Sequence, residues 1–377
     1  MVNIKLELEN FTASRAQKNL KEKYQSLLTQ LPLRGVYIWG TGKLGKYTEE
    51  QCMKNQIKVL GYVDNNETKR DISKKIYSCD VLETDDIVIV ASFAYPQIME
   101  QLSSLGIENY IYYEELARLM EGMETYYTAF ENIFEELELN KRKYEKVYDL
   151  FSDSLSQEIF ANIVLYKATL DTKYTIKAFR LTEPEGKEDF DKIVVEKLDK
   201  YYSFFDAGGF DGGSTLDFIH AAGTYDKIYF FEPDKDILEE SQKRLKDFPN
   251  IVYMCAGVGE KSGYKSYNAI GGGAGYFSEV ETDKSEQIDM IALDDLVKSH
   301  RSYIKMDIEG YELAALRGAE QAIKRYKPML SISVYHRPSD LHEIIPLVLS
   351  WNPEYKVFLR HYLGNYSDTR VYFINNE

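Results

Sequence analysis

The stretch FFDAGGFDGGST, residues 204–215, decides the fold of the C-terminal part of this chain. It begins as an apolar strand, passes Asp206, and then places four glycines within the six positions 208–213. Glycine has no Cβ, so a loop of this composition lets a ligand lie against the bare backbone. An apolar strand that runs through such a loop into a helix predicts the first β-α unit of a doubly wound sheet.

Strand-like and helix-like segments continue to alternate after this stretch. Four further apolar runs predict strands: KIYFFEPD (227–234), IVYMCAGV (251–258), YIKMDIEG (303–310) and MLSISVYH (329–336). The last two apolar runs, KVFLRHY (356–362) and RVYFIN (370–375), flank a short polar turn, which predicts an antiparallel hairpin. The pattern predicts an α/β fold with a doubly wound, mostly parallel sheet and one reversed strand.

A second glycine loop lies near the start of the chain. GVYIWGTGKLGK (35–46) reads as a short strand, a glycine loop and a helix, and Asp64 ends the next predicted strand 22 residues after Gly42. This is the fingerprint of a dinucleotide-binding unit. The loop contains Lys43 and no acidic residue, which suits a phosphate. The candidate nucleotide-binding residues of this unit are Gly40, Gly42, Gly45 and Asp64; the alternative is a retained fold that serves packing or recognition.

The chain length and the change of pattern along it predict three segments. A chain of 377 residues is expected to hold about two domains. We assign residues 1–114 to a smaller N-terminal Rossmann-like domain and residues 204–377 to the larger C-terminal domain. Residues 115–203 are charged, rich in tyrosine and lack strong strand patterns, so we predict a helical connector or lid.

Composition restricts the class of protein. The chain has 46 basic and 61 acidic residues, a net charge of −15, and no basic run with interleaved aromatic residues, which argues against a nucleic-acid partner. The three cysteines form no CxxC pattern, so a structural zinc site is not expected and a reducing compartment is. No signal peptide is evident, and no apolar run approaches the roughly 20 residues that span a bilayer. We expect a cytoplasmic protein without a transmembrane segment; a homo-oligomer is compatible with the sequence.

Two carboxylates at predicted strand ends distinguish between cofactors. Glu232 can accept the ribose hydroxyls of NAD or of S-adenosylmethionine. Asp206 at the loop mouth would oppose a diphosphate by roughly 4 kcal/mol at about 4 Å and an effective dielectric of about 20, but would favour the ammonium and sulfonium of S-adenosylmethionine. The sequence therefore favours S-adenosylmethionine. The predicted cofactor-binding residues are Asp206, Gly208, Gly212, Ser214, Glu232, Ala256 and Gly257.

Two residues that end later strands are candidates for catalysis. Asp307 follows the fourth predicted strand and could orient an acceptor hydroxyl, act as a base or cap the next helix. His336 follows the fifth, and histidine is suited to accept a proton near neutrality. Candidate substrate contacts are Glu309, Arg337 and His361. Arg337, Arg360 and Lys305 could also form a local basic patch for an anionic acceptor. A divalent cation held by Asp307, Glu309 and His336 is an alternative that we do not favour, so no metal is assigned.

Several blocks of the sequence resemble one family. DAGGFDGGST, FEPD, IKMDIEGYELAALRGAEQAI, PMLSISVYHRPSDLHEI and FLRHY are similar, in this order, to the blocks of FkbM-type methyltransferases. The resemblance covers about residues 150–377, and it departs from the family pattern at Gly208-Gly209-Phe210, where Gly-Ala-Asn is usual. It implies a class I methyltransferase fold and S-adenosylmethionine-dependent methylation of hydroxyls, often on sugars of glycans or natural products.

One alternative function uses the first glycine loop instead. In this interpretation the chain is an NAD(P)-dependent oxidoreductase or a sensor of nucleotide sugars, and the C-terminal domain is its substrate module. Our prediction is an O-methyltransferase that acts on a hydroxyl of a sugar, a glycan precursor or a related small molecule. Gly271–Gly273 could form a flap over the acceptor or a simple turn.

Overall fold

A computed structural model of the chain describes residues 3–183, 186–268, 276–278 and 286–375. The chain forms two compact units. The N-terminal unit comprises Asn3–Lys141 and Ile163–Ile176, and the C-terminal unit comprises Arg142–Asn162 and Lys177–Glu377. The domain boundaries predicted at residues 114 and 203 stay a prediction. Gly271–Gly273, the predicted flap, lies outside the described residues.

The N-terminal unit is built on a five-stranded parallel sheet. Its strands are β1 (Val36–Trp39), β2 (Val59–Val63), β3 (Ile76–Tyr77), β4 (Ile87–Val90) and β5 (Tyr110–Tyr112), in the order β3-β2-β1-β4-β5. The four residues of β4, IVIV, are all buried, as expected for a parallel strand that is covered on both faces. The helices that accompany this sheet are α1 (Ile4–Asn10), α2 (Ala13–Lys23), α3 (Gln25–Gln30), α4 (Lys43–Lys54), α5 (Tyr95–Ser104) and α6 (Tyr113–Leu119).

The segment predicted to be helical is mainly helical. It contains α7 (Ile133–Tyr148), α8 (Ser154–Thr169), α9 (Lys173–Thr182), a small hairpin of β6 (Gly186–Lys187) and β7 (Phe190–Asp191), and α10 (Lys192–Val195). The hairpin places Asp189 and Asp191 inside the C-terminal unit, where both are buried. In the part of the chain that the structure describes, no helix is both long and apolar enough to cross a bilayer.

The C-terminal unit is built on a seven-stranded sheet. Its strands are β8 (Ser203–Ala207), β9 (Lys227–Phe231), β10 (Ile251–Met254), β15 (Ser302–Met306), β16 (Met329–Ser333), β17 (Lys356–His361) and β18 (Thr369–Ile374). Their order is β10-β9-β8-β15-β16-β18-β17, and β18 alone runs in the direction opposite to the other six strands of this sheet. The predicted mostly parallel sheet with one reversed strand and a terminal hairpin is confirmed.

Helices and aromatic side chains cover this sheet. The helices are α11 (Gly213–Ala222), α12 (Lys235–Arg244), α13 (Glu312–Arg317), α14 (Glu320–Tyr326) and α15 (Asp340–Trp351). Phe204 in β8 stacks on Phe218 in α11 with ring centroids 4.5 Å apart, and Tyr303 in β15 packs against Phe204. These contacts belong to a buried apolar cluster that fixes the first helix after the glycine loop against the sheet.

A second, four-stranded sheet begins where the third predicted strand breaks. IVYMCAGV was expected to be one strand, but Ile251–Met254 pairs with β9, whereas β11 (Ala256–Val258) pairs with β14 (Glu286–Ile291). The remaining strands are β12 (Gly263–Asn268) and β13 (Tyr276–Ser278). The two halves lie on either side of exposed Cys255. Because both halves are apolar strands, the hydropathy pattern alone does not show the change of sheet.

Candidate active site

The glycine loop after β8 requires glycine at its two turning points. Gly208 has a φ of +79°, and a Cβ on it would lie 1.9 Å from the carbonyl oxygen of Asp307. Gly212 has a φ of +80° and precedes α11, and a Cβ on it would lie 3.0 Å from the side chain of Leu245. Only glycine adopts this backbone conformation without strain. The loop therefore passes directly against the end of β15, where the predicted catalytic residues begin.

Asp206 lies beneath the glycine loop and is paired with a lysine. Its carboxylate Oδ1 is 3.1 Å from Nζ of Lys305, and its Oδ2 accepts hydrogen bonds from the hydroxyls of Ser214 and Thr215, both at 2.7 Å. The Lys305 ammonium also donates to the carbonyl oxygen of Gly208 at 2.6 Å. Asp206 is fully buried. The expected repulsion of a diphosphate by Asp206 must be corrected, because Lys305 neutralises much of the field of this carboxylate.

Glu232 fixes the outer part of the same loop. Its two carboxylate oxygens accept the backbone N–H groups of Phe210 at 3.1 Å and Asp234 at 2.9 Å. Burial raises the pKa of Glu232 to about 7, and these two hydrogen bonds oppose the rise. Each oxygen retains a second lone pair that could accept a ribose hydroxyl. The assignment of Glu232 to the ribose stays a prediction, and its contact with the loop is an additional role.

The predicted adenine contacts lie just past the end of the third strand. Ala256 and Gly257 are buried in β11 of the second sheet, and the residue at the strand end itself is Cys255. Tyr267 of β12 is also buried, and the carboxylates of Glu232 and Glu309 contribute to the raised pKa of its phenol. The second sheet therefore brings a tyrosine within electrostatic range of both Glu232 and Glu309, which the sequence pattern did not indicate.

Asp307 follows β15 and is held by three side chains. Its Oδ2 accepts from the Arg370 guanidinium at 2.8 Å, and its Oδ1 lies 3.3 Å from both Nε2 of His336 and the Tyr335 hydroxyl. Burial alone would raise the pKa of Asp307, but Arg370 and His336 hold it well below its usual range. Asp307 is therefore a fixed anion. Of its predicted roles, the geometry supports orientation and opposes action as a base.

Three carboxylates surround His336 in this site. Its Nδ1 lies 2.9 Å from Oε1 of Glu312, and its Nε2 faces Asp307 at 3.3 Å and Glu309 at 3.7 Å. Burial would lower the pKa of His336, but these three carboxylates raise it to about 10. An imidazolium has no lone pair with which to accept a proton. The three carboxylates favour a His336 cation that holds them in place, and its role as proton acceptor stays a prediction.

The same cluster is one of two candidate metal groups among the described residues. Asp307, Glu312 and His336 each offer one ligand atom, and these atoms lie within 4.8 Å of one another. Glu188, Asp307 and Asp368 form the second group. The sequence analysis assigned no metal here, and that assignment stays a prediction.

The three candidate substrate contacts differ in their access to solvent. The side chain of Glu309 is 53% exposed. Arg337 is also exposed and lies beside Gly310: a Cβ on Gly310 would be 3.1 Å from the Arg337 Nε. His361 is fully buried, and its Nδ1 lies 2.9 Å from the Thr369 hydroxyl. The prediction that His361 forms a wall of the substrate pocket must be corrected, because protein encloses its imidazole.

The predicted basic patch reduces to one residue. Lys305 is buried against Asp206, and Arg360 is buried in ion pairs with Asp191 at 3.2 Å and Asp153 at 3.0 Å. Within the described residues, the Arg337 guanidinium has no ion-pair partner, and it remains the one member of this group that can meet an anionic ligand. The sequence did not distinguish buried from exposed cations because all three residues lie at or near strand ends.

The first glycine loop has a different construction. Gly40 has a φ of +124°, and Gly45 packs so closely on it that a Cβ would lie 1.9 Å from the Gly40 carbonyl oxygen. Gly42 precedes α4, and a Cβ there would meet nothing within 4 Å. Asp64 accepts a hydrogen bond from the Thr41 hydroxyl and another from the Asn66 N–H at 2.9 Å. The structure brings these residues together; their role in nucleotide binding stays a prediction.

Two buried residues of the site were missed from the sequence. Glu312 lies in α13 and contacts His336 across 24 positions, and Arg370 lies in β18 and contacts Asp307 across 63 positions. A charged residue inside an otherwise apolar strand, as in TRVYFI (369–374), is the signal that could have indicated Arg370. Glu312 lies on a helix with ordinary surface spacing, which carries no such signal.

Comparison with known proteins is consistent with this geometry. Residues 206–355 match the family described as methyltransferase FkbM domain, and residues 33–111 match the family described as C2185-like, N-terminal. The hexuronic acid methyltransferase AglP of Haloferax volcanii is 23% identical over 182 residues, which is 46% of this chain and 74% of that protein.

A solved structure shows the same fold. The methyltransferase FkbM from Methylobacillus flagellatus KT superposes with a TM-score of 0.72 at 21% identity, over 96% of this chain and 98% of that chain. The resemblance noted from the sequence blocks is confirmed. Residues 206–355 match the FkbM methyltransferase domain, which supports an S-adenosylmethionine-dependent methyltransferase, and the solved structure shows the shared fold.

Proposed function

We propose that the chain transfers a methyl group to a hydroxyl of a saccharide or a glycan precursor. The similarity to a hexuronic acid methyltransferase carries this proposal, because the matched 182 residues are drawn from a relative whose acceptor is a sugar acid. This similarity supports a small molecule or a saccharide as the acceptor class.

The glycine loop and its supports fit the methyl donor. Gly208 and Gly212 let the loop pack closely on the Asp307 carbonyl and the Leu245 side chain, and the Asp206–Lys305 pair holds the loop from below. We assign these residues to the methionine portion and Glu232 to the ribose. When bound, S-adenosylmethionine supplies a methyl group on a sulfonium that is already reactive, so the protein contributes mainly by positioning.

An exposed guanidinium gives the rim of the site a preference for acidic sugars. Arg337 lies over the backbone of Gly310, next to the half-exposed Glu309. Arginine binds carboxylates and phosphates through paired hydrogen bonds. A hexuronate, or a sugar that carries phosphate, matches this cation on a chain whose net charge is −15.

Titration followed by a transfer assay tests the proposal. The protein is titrated with S-adenosylhomocysteine and, separately, with NADH, and then incubated with labelled S-adenosylmethionine and either methyl glucuronoside or methyl glucoside. We expect saturable binding of S-adenosylhomocysteine and label in the glucuronoside. Donor binding with no label in either sugar would reject the saccharide acceptor, and binding of NADH alone would support the alternative oxidoreductase or sensor.

A further inference from the structure

Glu309 occupies a backbone conformation that glutamate rarely adopts. Its φ is +55°, in the left-handed region, and the following Gly310 has a φ of +89°. Residues held in this region cluster at functional sites, where the surrounding structure imposes the conformation. Here the restraint comes from Glu312, whose Oε1 accepts the N–H groups of Ile308 at 2.9 Å and Gly310 at 3.4 Å. The backbone on both sides of Glu309 is thus fixed by one buried carboxylate.

Glu309 is exposed to solvent, in contrast to the other acids of the cluster. Glu312 is buried and is occupied by His336 and by two N–H groups, and Asp307 is occupied by Arg370, His336 and Tyr335. The Glu309 carboxylate lies 3.7 Å from Nε2 of His336, and more than half of its side chain is exposed. Of the three carboxylates around His336, Glu309 alone combines access to a ligand with unused acceptor capacity.

The loop that carries Glu309 adjoins the glycine loop. The carbonyl oxygen of Asp307 is the atom that a Cβ on Gly208 would strike at 1.9 Å, so the two loops are in contact at the edge of β8 and β15. If the methyl donor lies in the glycine loop, the acceptor hydroxyl approaches it beside residues 307–310. A proton acceptor for that hydroxyl must come from this region.

We propose that Glu309 accepts the proton of the acceptor hydroxyl and that His336 is a positioning residue. This rests on the proposed O-methylation. The hydroxyl oxygen forms the new bond to the methyl carbon, the carbon–sulfur bond breaks with its electron pair remaining on sulfur, and the hydroxyl proton passes to a Glu309 carboxylate oxygen. Because Glu309 is exposed, that proton then leaves to solvent. The His336 imidazolium holds the carboxylate and does not take the proton.

The four charged residues that face Glu309 come from three elements or the loops that follow them. His336 follows β16, Asp307 follows β15, Glu312 lies in α13, and Lys305 lies in β15. Two phenols also respond to the Glu309 charge, Tyr267 of β12 and Tyr335 after β16. Partial withdrawal from water raises the pKa of Glu309, His336 lowers it, and Asp307 and Glu312 raise it. A pKa above the ordinary glutamate value brings the carboxylate nearer to the strength that a general base needs at neutral pH.

Substitutions at position 309 separate catalysis from structure. With labelled S-adenosylmethionine and methyl glucuronoside, we expect Glu309→Gln to lower kcat at least about 100-fold, while the Kd of S-adenosylhomocysteine changes less than about twofold. Glu309→Asp is expected to retain part of the activity. Glu309→Gly relieves the left-handed strain, so it should keep or raise the melting temperature while it loses activity. Glu239→Gln, on the exposed face of α12, is the control and should behave as wild type.

Nuclear magnetic resonance tests the coupling without any acceptor. The carboxyl carbons of 13C-labelled glutamate are titrated, and the Glu309 signal is assigned from the Glu309→Gln spectrum. We expect a Glu309 pKa above the ordinary value that rises further in His336→Gln, because the neighbouring cation is lost. An unchanged pKa in His336→Gln overturns the positioning role.

The outcomes also distinguish this proposal from the proposed function. If the sugar is methylated and Glu309→Gln retains wild-type kcat, Glu309 is not the proton acceptor, although the enzyme is still an O-methyltransferase. A lower melting temperature in Glu309→Gly, with equal losses of kcat and cofactor affinity, shows a structural role. If neither sugar is methylated, the saccharide acceptor fails, and the titration of Glu309 still decides whether His336 and Glu309 act as a pair.

Discussion

The two glycine loops of this chain share a strand-loop-helix plan and differ in what lies beneath them. Under the loop at 208–212, the buried Asp206–Lys305 pair holds the Gly208 carbonyl and two hydroxyls of α11. At the loop at 40–45, the acid is Asp64 of the neighbouring strand end, and it is fixed by Thr41 and Asn66. Similar glycine patterns therefore conceal different supports, and the support determines how each loop tolerates change.

The largest difference is expected when the lysine associated with each loop is removed. This is Lys305 of β15 for the loop at 208–212 and Lys43 for the loop at 40–45. Lys305→Met leaves the buried Asp206 charge without its cation, so we expect the unfolding free energy to fall by about 3–5 kcal/mol and binding of S-adenosylhomocysteine to be lost. Lys43→Met, at the exposed position of the first loop, should change stability by no more than about 0.5 kcal/mol. Chemical denaturation and calorimetric titration measure both effects.

If Lys305→Met folds poorly, a double substitution still tests the role of the Asp206–Lys305 ion pair. Asp206→Asn combined with Lys305→Met removes both charges, so it should recover much of the stability while donor binding stays weak. Wild-type donor affinity in the double variant would show that the ion pair stabilises the fold and contributes nothing to the loop.

The pH dependence of stability is expected to have opposite signs at the two sites. The pKa of His336 is raised from 6.5 to about 10, so its contribution is complete below pH 6.5 and is lost as the pH rises toward 10. At about 1.4 kcal/mol per pKa unit, and allowing for sharing within the cluster, we expect a loss of about 2–4 kcal/mol. Thermal unfolding from pH 6 to 10 tests this expectation. His336→Gln is the reference, because its stability should depend much less on pH over this range.

Asp64 is expected to give a pH dependence of the opposite sign, with stability lost in acid. The Thr41 hydroxyl and the Asn66 N–H lower the pKa of Asp64, against the effect of burial. Its contribution is therefore present above the ordinary aspartate pKa and is lost as the pH falls through the lowered value. Acid titration of Asp64→Asn should remove this loss. If the stability of His336→Gln falls with rising pH as steeply as that of the wild type, the loss at alkaline pH does not come from His336.

Alanine at matched glycines gives the third effect. Gly208→Ala combines a left-handed backbone with a contact to the Asp307 carbonyl, so we expect a loss of about 2 kcal/mol and at least a tenfold lower affinity for S-adenosylhomocysteine. Gly42→Ala has a φ of −75° and open space around the new Cβ, so its cost should stay below about 1 kcal/mol. Equal effects of the two substitutions on donor affinity would place the donor outside the 208–212 loop.

The smallest effect is expected at Thr41. Thr41→Val removes the hydroxyl that donates to Asp64, which should cost about 1 kcal/mol and leave S-adenosylhomocysteine affinity within twofold of wild type. Calorimetric unfolding and donor titration report the two quantities. A tenfold loss of donor affinity in this variant would connect the first loop to the methyl donor.

Most of the architecture was accessible from the sequence because it depends on local pattern. Alternating apolar runs and helices gave the order of the elements, and Asp206, Glu232, Asp307 and His336 were placed at strand ends because parallel strands end on one edge. The pattern failed at residues 251–258, where one apolar run serves two sheets. Local hydropathy identifies a strand and does not identify its partner.

The charge states of the site were not accessible from the sequence for a different reason. His336 was interpreted as a base because an isolated histidine titrates near neutrality. Its actual state depends on Glu312 and, through Asp307, on Arg370, which approach only after folding. Long-range ion pairs of this kind set the pKa values of the site, and a sequence without its fold contains no measure of them.

The break between the two sheets has a practical consequence for experiments. Of the three cysteines, Cys255 is exposed, Cys52 is buried and Cys79 is partly covered. A maleimide fluorophore should therefore attach preferentially at Cys255, directly at the break. Because that position adjoins the predicted adenine contacts, emission from the label can report donor loading in real time and makes stopped-flow kinetics feasible before any acceptor is known.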